Sequence, residues 1–106
     1  MTLEAYAAWA ASVRVVRSGK AADTEQSQLV FSALSLAGEA GEIADHVKAL
    51  LKGDDIDRQR LAAELGDAMF HWVQLCAAIG AEPAKVLADS RRIIDARIAK
   101  QQRVAG

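Results

Sequence analysis

The chain has 106 residues, with 13 basic and 14 acidic side chains and a net charge of −1, so it fits one domain, 1–106, that buries about two-thirds of its unfolded surface. The balanced charge provides neither the basic face that nucleic acid needs nor the polybasic run that an anionic membrane needs. No stretch reaches the roughly 18 apolar residues of a membrane span, and the opening residues lack the pattern of a secretory signal, so a cytoplasmic protein is expected.

Hydrophobic residues make up 52% of the chain and aromatics only 5%, a composition that suits packed helices better than a β-sandwich. Leu3, Tyr6, Trp9, Ala10, Val13 and Val16 recur at steps of three and four, which predicts an amphipathic helix over residues 2–17, stopped by "RSGKAAD" at 17–23. Thr24 is placed to cap a second helix whose first turn, residues 25–28, is polar. That helix is expected to run to about Lys52, with Gly53 as its stop and with Lys48 and Lys52 beside the negative end of the dipole. Leu29, Val30, Phe31, Leu34, Leu36, Ile43, Val47, Leu50 and Leu51 spread over most of its circumference. A helix so patterned is covered on several sides, and a partner subunit is the simplest cover.

Asp57 ends an acidic loop and can cap a third helix from Arg58 to Ile79, stopped by Gly80. Its expected core face is Leu61, Leu65, Met69, Trp72 and Cys76. The single cysteine forms no intrachain disulfide and sits among apolar neighbours, as a small buried hydrophobe does. Pro83 suits the first turn of a fourth helix carrying Val86, Leu87, Ile93, Ile94 and Ile98. No run alternates with period two, and no Asn-Gly or Asp-Gly turn joins apolar segments, so the expected fold class is all-α.

Two stretches share a pattern, "GEAGEIADH" at 38–46 and "AELGDAMFH" at 63–71. Glycine in a helix interior costs about 1 kcal/mol relative to alanine, so Gly38, Gly41 and Gly66 call for a cause other than propensity. Glu39 and Glu42 share one helix face, as do Glu64 and Asp67, and a connection of about five residues makes the two helices antiparallel neighbours. Four facing carboxylates repel unless a divalent cation joins them, their protonation shifts upward, or they splay into water. An all-oxygen set suits Mg2+, or Mn2+ in its place. Gly41 and Gly66, each between a pair of acids, are expected to clear space for a substrate or for a facing backbone. His46 and His71 lie seven residues beyond Glu39 and Glu64. They are expected to be satisfied at the helix interface, with ligation or support of a ligand as the alternative.

At these residues the sequence resembles the MazG-like nucleoside triphosphate pyrophosphohydrolases, whose signature is E-x-x-E, a spacer, then E-x-x-D. Here it reads Glu39, Glu42, a spacer from Ile43 to Ala63, Glu64 and Asp67. The flanks "SLAGEAGEIADHVKALL", "LAAELGDAMFHWVQL" and "AIGAEPAKVLADS" follow the same order, so the likeness covers residues 28–90. It implies a four-helix all-α bundle completed by oligomerisation as a homodimer or homotetramer. It also implies a metal, Mg2+ or Mn2+, held by Glu39, Glu42, Glu64 and Asp67, and attack of water on the α-phosphorus of a nucleoside triphosphate. The products are then the monophosphate and pyrophosphate, as suits control of the nucleotide pool. Glu39 or Glu42 would share the duty of base.

Lys48, Lys52 and Arg91 are the candidate phosphate contacts. Ser90 and Ile93 stand where relatives place asparagine and lysine, so Arg91, Arg92 or Arg97 would substitute. Trp9, Phe70 and Trp72 are candidates for stacking on a base or for the core. Two other chemistries lack their motif: no Glu-x-x-His pair serves a di-iron bundle, and no G-x-x-x-x-G-K-[ST] forms a P-loop. The alternative function is a non-catalytic helical module that senses nucleotides or dimerises.

Overall fold

In the computed structural model, which describes residues 1–13 and 24–105, the chain is helical throughout its regular elements. Helix α1 spans Leu3–Ser12, α2 Glu25–Val47, α3 Arg58–Ala78 and α4 Pro83–Ala105, with a 3₁₀ segment, Lys48–Lys52, tightening the end of α2. No strand occurs among the described residues, as the absence of period-two patterning predicts.

The local signals at the helix ends act where they stand. Thr24 Oγ1 accepts the Ser27 amide at 3.0 Å and Ser27 Oγ accepts the Thr24 amide at 3.1 Å, a reciprocal cap on α2. Asp57 Oδ1 accepts the Arg60 amide at 3.1 Å and caps α3. Gly53 (φ 81°) and Gly80 (φ 70°) are left-handed. Each closes its helix with the paired bonds of a Schellman motif: Asp54 N–H to Ala49 O and Gly53 N–H to Leu50 O in one, Ala81 N–H to Cys76 O and Gly80 N–H to Ala77 O in the other. A Cβ added to either glycine meets no atom within 4 Å, so the whole cost of alanine there is conformational. Gly53→Ala and Gly80→Ala are each expected to lower stability by about 1–2 kcal/mol, read as a lower urea midpoint at unchanged slope.

Helix α1 ends earlier than its sequence periodicity predicts. Val13 is extended (φ −93°, ψ 108°), and the Gln74 side-chain amide of α3 donates to the carbonyls of Ala10 and Val13 at this end. Residues 14–17 of the expected helix, and the expected stop at 17–23, lie outside the described residues.

The α2–α3 hairpin is the main contact, α1 packs on α3, and α4 meets the rest of the chain chiefly through α1. Ala10 and Val73, both essentially inaccessible, centre the α1–α3 contact, and Cys76 is buried with its thiol pushed up by that burial. The expected core face of α3 is only partly covered. Cys76 is inside, but Leu65 is 56% exposed, and Val73, which lies at the edge of that face beside Met69 and Cys76, takes the central place. The reason is the course of α4, which buries none of its own residues and leaves Leu65 bare.

Leu34, Leu51, Leu87, Ile93, Ile94 and Ile98 also stay exposed. The radius of gyration, 17.3 Å, exceeds the roughly 13 Å of a compact chain of this length. On α4, Lys85 Nζ and Asp89 Oδ2 pair at 2.8 Å one turn apart. Their hydrogen bond holds the lysine above, and the aspartate below, its ordinary range.

Candidate active site

The four acids stand on α2 and α3, the two helices of the hairpin. The Glu39 carboxyl is raised above its ordinary value, first by burial, then by the negative charges of Glu42 and Asp67, with His71 opposing and Glu64 adding to the rise. The charges of all three other acids thus bear on Glu39. The register is set by His46 and Glu64, whose Nδ1 and Oε1 are 2.7 Å apart. In an antiparallel hairpin that pairing brings Glu42 level with Asp67, and Glu39 level with His71.

Glu64 is buried, and its two oxygens differ. Oε1 accepts from His46 and lies 3.6 Å from Arg60 Nε. Oε2 is buried with no hydrogen-bond partner among the described residues, and so is Glu39 Oε2 on the facing helix. Buried polar atoms are nearly always paired, and an unpaired one carries its full desolvation penalty. One of these oxygens stands on each helix of the hairpin. Among the described residues, no group of three histidine, cysteine, aspartate or glutamate side chains is arranged to hold a metal ion.

The histidines separate into different roles. His46 is satisfied at the helix interface, as expected, with Nε2 accepting the Asp57 amide at 3.0 Å. His71 leaves Nδ1 buried without a partner, and its ring meets Phe70 edge-on at 5.5 Å. Phe70 in turn packs on Trp9 (5.8 Å), and Trp9 on Tyr6 (5.6 Å), so these aromatics tie α1 to α3 while Trp9 keeps half its surface open.

Lys48 and Lys52 line one cleft with Asp45, His46, Asp54 and Arg60 at the tip of the hairpin. Arg91 does not line it. Its guanidinium is exposed and lies 3.8 Å from Asp95 of the same helix. Of the arginines considered as substitutes on α4, Arg97 shares a cleft with Ser90 and Ile93. Sequence reasoning missed Arg60, although its position four residues before Glu64 signals an i,i+4 pair.

Of the two causes expected for Gly41 and Gly66, a facing backbone is not found: a Cβ at either, or at Gly38, meets nothing within 4 Å among the described residues. The two helices meet through His46 and Glu64 instead, and the glycine faces are left open.

Comparison with known proteins agrees with these residues: the model of the MazG nucleotide pyrophosphohydrolase domain matches residues 29–103, a span holding all four acids and most of α4. The chain belongs to this family. The MazG match reaches beyond residue 90, where the motif-based resemblance ends. It includes most of α2, all of α3 and most of α4 and supports a hydrolase of the pyrophosphohydrolase type that acts on nucleotides. The chain is also similar to the "Gene 37 protein" of Mycobacterium phage L5, at 44% identity over 52 residues, covering 44% of this chain and 46% of that protein. The chain thus spans about half the length of that relative. No solved structure gives a significant match. Among the described residues of the MazG chain, no helix is long and apolar enough to cross a membrane.

Proposed function

We propose that the protein is a divalent-metal-dependent nucleoside triphosphate pyrophosphohydrolase with Glu39, Glu42, Glu64 and Asp67 as metal ligands. The reading is carried by the two unpartnered carboxylate oxygens, Glu39 Oε2 and Glu64 Oε2, buried on opposite sides of the hairpin. Such oxygens fit a hard cation, which takes carboxylate donors and accepts phosphate oxygens as further ligands. Mg2+, or Mn2+ in its place, would screen the triphosphate charge and make water a better nucleophile.

The chain's own groups divide the remaining tasks. Lys48 and Lys52, joined in their cleft by Arg60, offer positive charge to the outgoing phosphates, and Arg91 brings an exposed guanidinium from α4. Water attacks the α-phosphorus, the bond from that phosphorus to the bridging oxygen breaks, and pyrophosphate leaves with the bond pair. Glu39 or Glu42 takes the proton that water gives up. The open faces of Gly41 and Gly66 leave room for the substrate between the paired acids.

The bare apolar faces of α2, α3 and α4 support assembly as a homodimer or homotetramer. A panel of canonical and damaged triphosphates, incubated with Mg2+ or Mn2+, is expected to release pyrophosphate and a nucleoside monophosphate in equal amounts. Binding without release across the panel would move the protein to a nucleotide-sensing role. Release of orthophosphate would show attack at a different phosphorus.

A further inference from the structure

The structure assigns His46 a positioning role: it holds Glu64 Oε1 so that Oε2 stays turned toward the acidic site. This inference rests on the metal reading above.

Hydrogen-bond direction settles the state of the ring. A backbone amide can only donate, so Nε2, 3.0 Å from the Asp57 nitrogen, is an acceptor and carries no proton. The ring proton of neutral imidazole then sits on Nδ1, the one donor a carboxylate needs, 2.7 Å from Glu64 Oε1. His46 thus bridges the amide that begins α3 and the acid two turns into it, while itself standing on the last turn of α2. Its ring and the carboxyl are both nearly closed to water, with side-chain exposures of 6% and 10%. With Oε1 committed to His46, and with Arg60 at 3.6 Å, Oε2 is the oxygen left over, and it has no hydrogen-bond partner among the described residues. Histidine supplies both contacts because its two nitrogens, one donor and one acceptor, point in different directions.

Those two contacts can be separated. Asparagine places its amide nitrogen near the position of Nδ1, so His46→Asn keeps the donor to Glu64 and loses the acceptor for Asp57. Glutamine places its oxygen near Nε2, so His46→Gln keeps the acceptor for Asp57 and loses the donor to Glu64. Mn2+ binding to the full chain without nucleotide, followed by the loss of the free-ion paramagnetic resonance signal, is the measurement, with Tm recorded beside it.

His46→Gln is expected to weaken Mn2+ binding about tenfold or more, the usual effect of removing a partner that orients a ligand. His46→Asn is expected to bind Mn2+ nearly as wild type does while lowering Tm, because the Asp57 amide loses its acceptor. The ¹⁵N spectrum of the His46 ring should show a protonated Nδ1 and a bare Nε2. Wild-type affinity in His46→Gln, affinity that follows Tm across both variants, or a ring protonated on Nε2 would each overturn the role of His46 alone. No saturable Mn2+ binding by the wild type would remove the metal reading and this inference with it.

Discussion

Glu42→Gln is expected to lower pyrophosphate release by about a hundredfold or more, mainly in kcat. The substitution preserves shape but replaces one acceptor oxygen by a donor and removes the negative charge that Glu42 brings beside Glu39, Glu64 and Asp67. Interactions that strengthen as charge develops in the transition state account for losses of about 10²–10³ when one is deleted. An exposed position on α2 makes the folding cost small, since surface substitutions usually stay within about 0.5 kcal/mol. Steady-state rates with the preferred triphosphate, run beside circular dichroism, would separate the two effects. Equal loss of kcat and kcat/KM marks an interaction made only in the transition state. Unchanged turnover would remove Glu42 from the site.

Glu39→Gln is expected to stabilise the metal-free protein at neutral pH and to abolish its response to Mg2+. Glu39 sits above its ordinary protonation range because burial and then Glu42 and Asp67 disfavour its charge. A carboxyl raised on folding binds more protons in the native than in the unfolded state, between its unfolded and folded values. Stability therefore rises as pH falls through that window, and the penalty is fully present at higher pH. The Tm advantage of Glu39→Gln over wild type should be largest near pH 7 and shrink as acid protonates Glu39.

Divalent ion reverses the order. A ligand at a hundred times its dissociation constant adds about 2.7 kcal/mol to unfolding, a gain open to the wild type and lost to a variant lacking a ligand. Scanning calorimetry with and without Mg2+ at several pH values tests both halves. A variant less stable than wild type at pH 7 without metal would show that the four acids do not strain the fold.

The two results belong together because one arrangement produces both. Charges that cost stability in the empty protein are the same charges that attract a cation and, through it, a polyphosphate. The native apolar faces pose a second unfinished requirement, and the glycine faces a third. Each is a surface that the chain leaves without a partner of its own.

Much of this was readable in one dimension because it depends on neighbours in the chain. Thr24, Asp57, Gly53, Gly80 and Pro83 mark helix ends through caps, positive φ and missing donors, all of which act within about four residues. The shared faces of Glu39 with Glu42 and of Glu64 with Asp67 follow from helical pitch alone.

What needed three dimensions were the events between helices. Helix α1 ends at Ser12 with Gln74 of α3 donating to its last carbonyls, a contact the apolar periodicity of α1 does not contain. Leu65 is bare and Val73 buried because α4 turns away to α1, a choice no local pattern encodes. His46 reaches both Glu64 and Asp57 only when α2 and α3 stand side by side. Periodicity names the face on which a residue lies, whereas the helix that arrives to cover that face is selected by the packing of the whole chain.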